Sequence, residues 1–210
     1  MISLFIDTSS SDVSIAIVQD DKVLSSIVKD IPGKHSIYAT SFLEEVINKA
    51  KIKNEDIDNI MAVNGPGSFT GLRIGLTIAK VYAYLLKKDV ICVSSLKMRA
   101  LSIEHDYCLS LIDARNNNYY LALYDKNNKE IVEPVFGNID KVLSIINKYN
   151  PVCVGDKDFV LCDKSVKKVD LDIIRIVNYY KNDIGINCHL VVPDYLKLPQ
   201  AMEDKIDKGN

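Results

Sequence analysis

Paired cysteines, a surplus of charge of one sign and a long apolar run are all missing from this chain. The five cysteines, at 92, 108, 153, 162 and 188, contain no CxxC pair; an odd number of scattered thiols argues against a disulfide framework and for reduced thiols in a cytosol. Lys and Arg number 26 against 28 Asp and Glu, a net charge of -2, so the strong field of a dedicated nucleic-acid binder is lacking. No stretch reaches about 18 uninterrupted apolar residues, because Arg73 and Lys80 break the longest one. The N-terminus has neither a basic region nor a long apolar region of the secretory kind. We expect a soluble, cytoplasmic protein without membrane association. What is present is ordinary globular composition, 48% hydrophobic and 26% charged over 210 residues, enough for one or two domains with a real core.

The chain is organised around residues 64–75, Asn-Gly-Pro-Gly-Ser-Phe-Thr-Gly-Leu-Arg-Ile-Gly. A short apolar run, Ile60 to Val63, reads as a buried strand before it. Gly65 and Gly67 can take positive φ, Pro66 presets φ, and Ser68 or Thr70 can cap a helix running from Thr70 to Leu86. That helix is apolar on almost every side, which implies burial on more than one side. Gly71, Gly75, Ala79 and Ala83 recur every four residues and form one small stripe, fit for close packing within this chain or against a second protein.

In chain order, Ile2–Asp7, Val13–Gln19 and Lys22–Val28 read as strands, with Thr8 to Asp12 as a polar hairpin. A carboxylate at a strand end followed by hydroxyls is a possible cradle for phosphate and its metal, although any hairpin turn favours the same residues. A helix from His35 to Lys51 follows, its stripe read as Tyr38, Phe42, Val46 and Ala50 with Leu43 and Ile47 beside it; His35 or Ser36 opens it. After Val90–Val93 and a helix opened by Ser94 to Arg99 the pattern restarts. Tyr107–Ile112 ends in Asp113, strands Tyr119–Tyr124 and Glu130–Val135 follow, then a helix Ile139–Tyr149 and a strand Val152–Val154. Three strands, a helix and a strand thus occur twice, each copy opening with an apolar strand that ends in Asp, which implies an α/β fold duplicated into residues 1–104 and 105–210. Lys164 to Lys168 and the tail from Pro193 read as loop.

Ile6-Asp7-Thr8, the GPGSFTGLRIG element at 65–75, Val93-Ser94-Ser95-Leu96, Ile112-Asp113-Ala114-Arg115 and Pro193-x-Tyr195-Leu196 together resemble the TsaB (YeaZ) family, which serves bacterial tRNA threonylcarbamoyladenosine synthesis. The resemblance implies an actin-like (RNase H-like, ASKHA) duplicated fold, two subdomains each with a mixed sheet flanked by helices. It is strongest over residues 1–115. The catalytic relatives of the TsaD family carry His-x-x-x-His after the fifth strand as metal ligands. The matching positions here are Ser95 and Arg99, and a guanidinium cannot coordinate a metal. His35, His105 and His189 are scattered.

The resemblance therefore implies no catalytic residue and no metal ligand in this chain, and a non-catalytic subunit that binds and activates TsaD with the ATPase TsaE. ATP and a metal ion would sit in the partners, and tRNA would be met only through the complex. Nucleotide contact by Asp7, Thr8 and Asp113 is a weak candidate, since the loop Gly65-Pro66-Gly67-Ser68 lacks the Gly-Lys-Ser/Thr ending of a Walker A motif. The alternatives are an actin-like ATPase or sugar kinase using Asp7 and Asp113, and a glycoprotease-type metallopeptidase. The partner surface, for TsaD or for a second copy, is expected on the two helices 35–51 and 70–86, at Tyr38, Phe42, Val46, Gly71, Gly75, Ala79, Tyr82 and Ala83.

Overall fold

A computed structural model describes residues 1–196 of the chain. Strands β1 (Ile2–Asp7), β2 (Asp12–Gln19), β3 (Lys22–Asp30), β4 (Asn59–Gly65) and β5 (Val90–Ser94) form one sheet in the order β3-β2-β1-β4-β5. Helix α1 (His35–Ala50) joins β3 to β4, and α2 (Phe69–Leu86) joins β4 to β5. The first three strands are antiparallel, whereas β1, β4 and β5 run parallel, as strands joined by helical crossovers must. The central strands are apolar throughout because both faces are covered. Leu4 and Ile6 of β1 face α1 and α2, while Phe5 faces the other side.

Helix α3 (Ser95–Leu101), buried along its whole length, leads into the second sheet. That sheet holds β6 (Tyr107–Asp113), β7 (Asn118–Asp125), β8 (Glu130–Asn138), β9 (Val152–Gly155), β10 (Phe159–Leu161) and β11 (Lys164–Lys168), in the order β10-β11-β9-β6-β7-β8. Helix α4 (Ile139–Tyr149) connects β8 to β9. Read from β8, the order 8-7-6-9-11 repeats 3-2-1-4-5, with the same antiparallel trio and the same parallel pair beside it. The chain has the duplicated actin-like α/β fold. The second copy puts the short strand β10 where the first has α2.

Two expectations change. Lys164–Lys168 is a strand, not a loop: Val166 points into the core while its lysine neighbours stay in water, the period-2 signature of a half-covered strand. Secondly, the chain beyond 170 does not stay with the second sheet. Helix α5 (Ile173–Tyr180) lays Ile173, Ile176, Val177 and Tyr180 on the first sheet, against Phe5, Ala16, Met61 and Val63. Those four positions follow i, i+3, i+4, i+7, and Asp172 caps the helix by accepting from the Arg175 amide. Beyond α5, Ile186 bridges to Val90, Val191 joins the core under α2, and the Asp194 amide donates to the Asn64 carbonyl at 2.7 Å. The expected tail loop is thus tied down as far as Tyr195; residues 197–210 lie outside the described residues.

Among the described residues α2 is the one helix long and apolar enough, by length and composition, to cross a membrane. In this fold it packs one face on the sheet and 33% of it is buried, so the expected burial on more than one side does not hold: Val81, Tyr84 and Leu85 stay exposed. Its small stripe is the face pressed onto β1 and β4: a Cβ on Gly71 would stand 2.0 Å from the Thr8 carbonyl oxygen, one on Gly75 2.4 Å from Thr8 Oγ1, and Ala79 and Ala83 are fully buried. Gly71, Gly75, Ala79 and Ala83 are therefore removed from the expected partner surface, because their spacing serves close helix-on-sheet packing. Val46 is removed as well. The buried arc of α1 is His35, Ala39, Leu43, Val46 and Ile47, turned about one position from the stripe read from sequence.

Candidate functional site

The two sheets meet at a cleft of about 640 Å³. Its walls are the turns that follow corresponding strands of the two copies: the β1–β2 hairpin and the β4–α2 loop on one side, the β6–β7 turn and Asp156 after β9 on the other. Strand ends gather here because in a parallel arrangement the carboxyl ends of neighbouring strands lie on one edge. The hairpin is held from below: Asp7 accepts from the Ser9 amide at 2.8 Å, and the Ser9 carbonyl accepts from the Ser68 amide at 2.7 Å. Gly67 is needed for that approach, since a Cβ there would lie 2.5 Å from the Ser9 carbonyl oxygen. The Gly65–Pro66 peptide is cis. Ser68 caps α2 by accepting from the Gly71 amide, which settles the choice between Ser68 and Thr70. Gly65, Pro66, Gly67 and Ser68 thus shape the loop.

The three weak nucleotide candidates do not converge. Asp113 is in the cleft wall, but Lys157 pairs with its carboxylate at 3.0 Å. Burial pushes Asp113 upward, yet the Arg115 amide and the Lys157 ammonium more than offset this and leave it below the ordinary value. Thr8 is turned into the protein, its hydroxyl donating to the Gly71 carbonyl at 2.6 Å. Asp7 is almost wholly buried and opens on a separate cavity behind the hairpin. Burial raises its pKa, with the Arg99 guanidinium and Ser9 opposing. His35, at the start of α1, donates from Nε2 to the Ser10 carbonyl at 2.9 Å and so acts as a strut between helix and hairpin.

Sequence reasoning passed over Asp156 and Lys157; the Arg115-Asn116-Asn117 run, three left-handed residues, makes the β6–β7 turn. The duplication contained the signal for Asp156 and Lys157, which follow β9 as the glycine loop follows β4.

The positions matched to metal ligands do not fit a metal. The Ser95 hydroxyl donates to the Pro66 carbonyl, and Arg99 Nη1 donates to the Ser95 carbonyl one turn back. Arg99 is 3% exposed. Burial lowers its pKa while Asp7, Asp156 and Asp12 oppose that shift. Among the described residues no three His, Cys, Asp or Glu side chains converge so as to hold a metal ion.

The outer face formed by α1 and α2 is a different kind of surface. A groove of about 420 Å³ runs between the helices past Ala39, Phe69, Arg73, Ile74 and Ile78. Next to it Ile37, Val81, Tyr84 and Leu85 are at least half exposed, more apolar area than single scattered residues would give. Of the expected contact residues Tyr38 is exposed and stacks on half-buried Phe42 with centroids 5.7 Å apart, and Tyr82 is half-buried against the core. Arg73 lies over the Phe69 ring at 3.9 Å, and its Nε donates to the Tyr195 hydroxyl at 3.1 Å.

The family model described as TsaD, tRNA N6-adenosine threonylcarbamoyltransferase, matches residues 29–171. A tRNA threonylcarbamoyladenosine biosynthesis protein TsaB of Bacillus subtilis (strain 168) is 35% identical, over 96% of this chain and 96% of its own. A tRNA N6-adenosine threonylcarbamoyltransferase of Fusobacterium nucleatum is 27% identical over 84% of this chain but only 58% of its own. Among solved structures, YeaZ from Pseudomonas aeruginosa superposes with a TM-score of 0.73 at 18% identity, covering 93% of this chain and 99% of that one. A second Pseudomonas aeruginosa structure, of a protein with similarity to peptidase YEAZ, gives 0.76 at 19% identity.

Proposed function

Because the chain belongs to the TsaB (YeaZ) family of tRNA threonylcarbamoyladenosine biosynthesis proteins, itself related to the TsaD transferases, we propose that it is the non-catalytic subunit of the modifying complex. In this reading it binds a TsaD-family protein and activates it, together with TsaE, for transfer of threonylcarbamoyl to the adenosine beside the anticodon of ANN-reading tRNAs. ATP and metal are handled by the partners, tRNA is contacted through the complex, and the whole acts in the cytoplasm. The observation that carries the reading is Arg99, a buried cation at a position where a metal-using relative places a ligand, with Ser95 at the other and its hydroxyl already bonded.

The partner surface in this reading is the outer face of α1 and α2, centred on Tyr38, Phe69, Arg73, Val81, Tyr84 and Leu85. Apolar helical faces of two such proteins can associate as a four-helix contact. The same face can pair two copies when the partner is missing.

The alternative is an actin-like phosphotransferase with nucleotide in the cleft. The cleft's hydroxyl-rich wall favours it; the engagement of Asp113 by Lys157 and of Thr8 by Gly71 weighs against it. Co-purification with the TsaD-family protein of the same genome, beside calorimetry with ATP and magnesium, separates the two. The subunit reading expects a stable complex and no nucleotide heat from the isolated chain. Tight nucleotide binding without a complex overturns it.

A further inference from the structure

Behind the β1–β2 hairpin lies a second cavity of about 470 Å³, walled by charge from both sheets. Asp12 of β2 and Asp30 of β3 stand directly opposite each other in the strand register, a like-charge pairing that disfavours the sheet unless a cation is supplied. The cation comes from the other half of the molecule. Lys168, on β11 of the second sheet, reaches Asp12 Oδ2 at 2.7 Å, and Asp30 and Asp170 add to the same field. Its backbone is fixed by the Lys168 amide, which donates to Asp158 at 2.8 Å. Deeper in, Arg99 lines the same cavity as Asp7, at the end of β1, and Asp156, just after β9. Lys168 thus pairs with a carboxylate across the divide between the sheets, and it and Arg99 are the cations among the described residues that line the cavity.

We infer that Lys168 and Asp12 form an ionic lock that sets the angle between the two sheets and so the width of the neighbouring cleft. The cleft and the locked cavity share Ser10 and Asp156, so a rotation that separates Lys168 from Asp12 also changes the spacing of the cleft walls. Folds of two packed halves open and close by such rotations; here Lys168 of β11 ties the second half to Asp12 of β2 in the first. The lock does not depend on the proposed function, since it concerns the conformation of the chain itself.

Amide hydrogen exchange on the full chain tests it, because local opening and global unfolding leave different patterns. With Lys168→Met or Asp12→Asn, exchange should quicken by about tenfold or more at residues 8–12 and 156–168 while α4 amides keep their protection. The double variant should be no faster than either single one, as for two halves of one interaction, and Lys168→Arg should restore protection. In the unaltered chain, 1 M salt should reproduce the local quickening through screening, where the Debye length falls to about 3 Å. Unchanged exchange in the variants, additive effects of the two substitutions, or a rise spread evenly over α4 as well would overturn the lock. Should Lys168→Met fail to fold, the salt series decides: no local quickening up to 1 M overturns it.

Discussion

Single residues decide how closely α2 can approach the sheet. Thr8 occupies the space that a methyl group on Gly71 or Gly75 would need, so Gly75→Ala is expected to lower stability by about 1–3 kcal/mol, the usual effect of overpacking; chemical denaturation measures it, and an unchanged midpoint would mean that the helix shifts freely. The buried Asp7 and Arg99 make a second case. The pKa of Asp7 is raised by burial, so the associated stability is fully present below the unfolded value and is lost as pH rises through the raised one. Removing Arg99 takes away the charge that opposes this shift. Arg99→Met should therefore be destabilising by several kcal/mol near pH 7, as expected for an uncompensated buried charge, and the gap from the unaltered chain should narrow as pH falls toward 4. A gap independent of pH would show that Arg99 acts through packing. Thiol chemistry offers a third test: Cys162 is exposed, whereas Cys108 is buried with its thiol pushed up to about 12. At pH 8 a thiol reagent should label Cys162 within minutes and leave Cys108 untouched until the protein unfolds, because only the thiolate reacts.

At the scale of elements, helix α2 separates packing from association. Ala79→Leu should lower thermal stability, since the side chain is fully buried against the sheet, while Leu85→Glu, at a position 68% exposed, should leave stability unchanged and abolish binding to the TsaD-family partner. Loss of binding from Ala79→Leu without loss of stability would place the contact on the buried face instead. The helix itself was legible from Thr70 to Leu86, and so were β1 to β9, because apolar periodicity and the loop glycines are local signals; β10 and β11 were not. The facing of its small stripe was not legible. A repeat every four residues states that one side is small; which neighbour fills the gap depends on Thr8, sixty residues away in sequence. The same limit turned the buried arc of α1 by one position, as Tyr38 and Phe42 are apolar yet stack on each other at the rim. Helix α5 went unread: Asp172 and the spacing Ile173, Ile176, Val177, Tyr180 agree with it, but eight residues in a polar half of the chain carry only a weak periodic signal.

For the whole molecule, the duplication was visible as a recurring strand pattern, but the return of α5 to the first sheet was a long-range event that no local pattern contains. The first sheet therefore depends on both ends of the chain: Tyr180, Ile176 and Val191 complete cores begun by Leu4 and Phe5. The wall of the cleft escaped sequence reading for the same reason, since Asp113, Asp156 and the β1–β2 hairpin meet only when the two halves close on each other. This arrangement offers a scaffold in which Asp113 and Asp12 are already engaged by Lys157 and Lys168, and the central claim is that such a scaffold works through a partner. The most direct test measures threonylcarbamoyladenosine in an ANN-reading tRNA after incubation with ATP and the activated threonylcarbamoyl donor, using the TsaD-family protein with TsaE, this chain alone, and all three together. The account predicts product only when this chain is added to the other two, and none from it alone. Modified tRNA formed by this chain without its partners, or formed as fast in its absence, would contradict it.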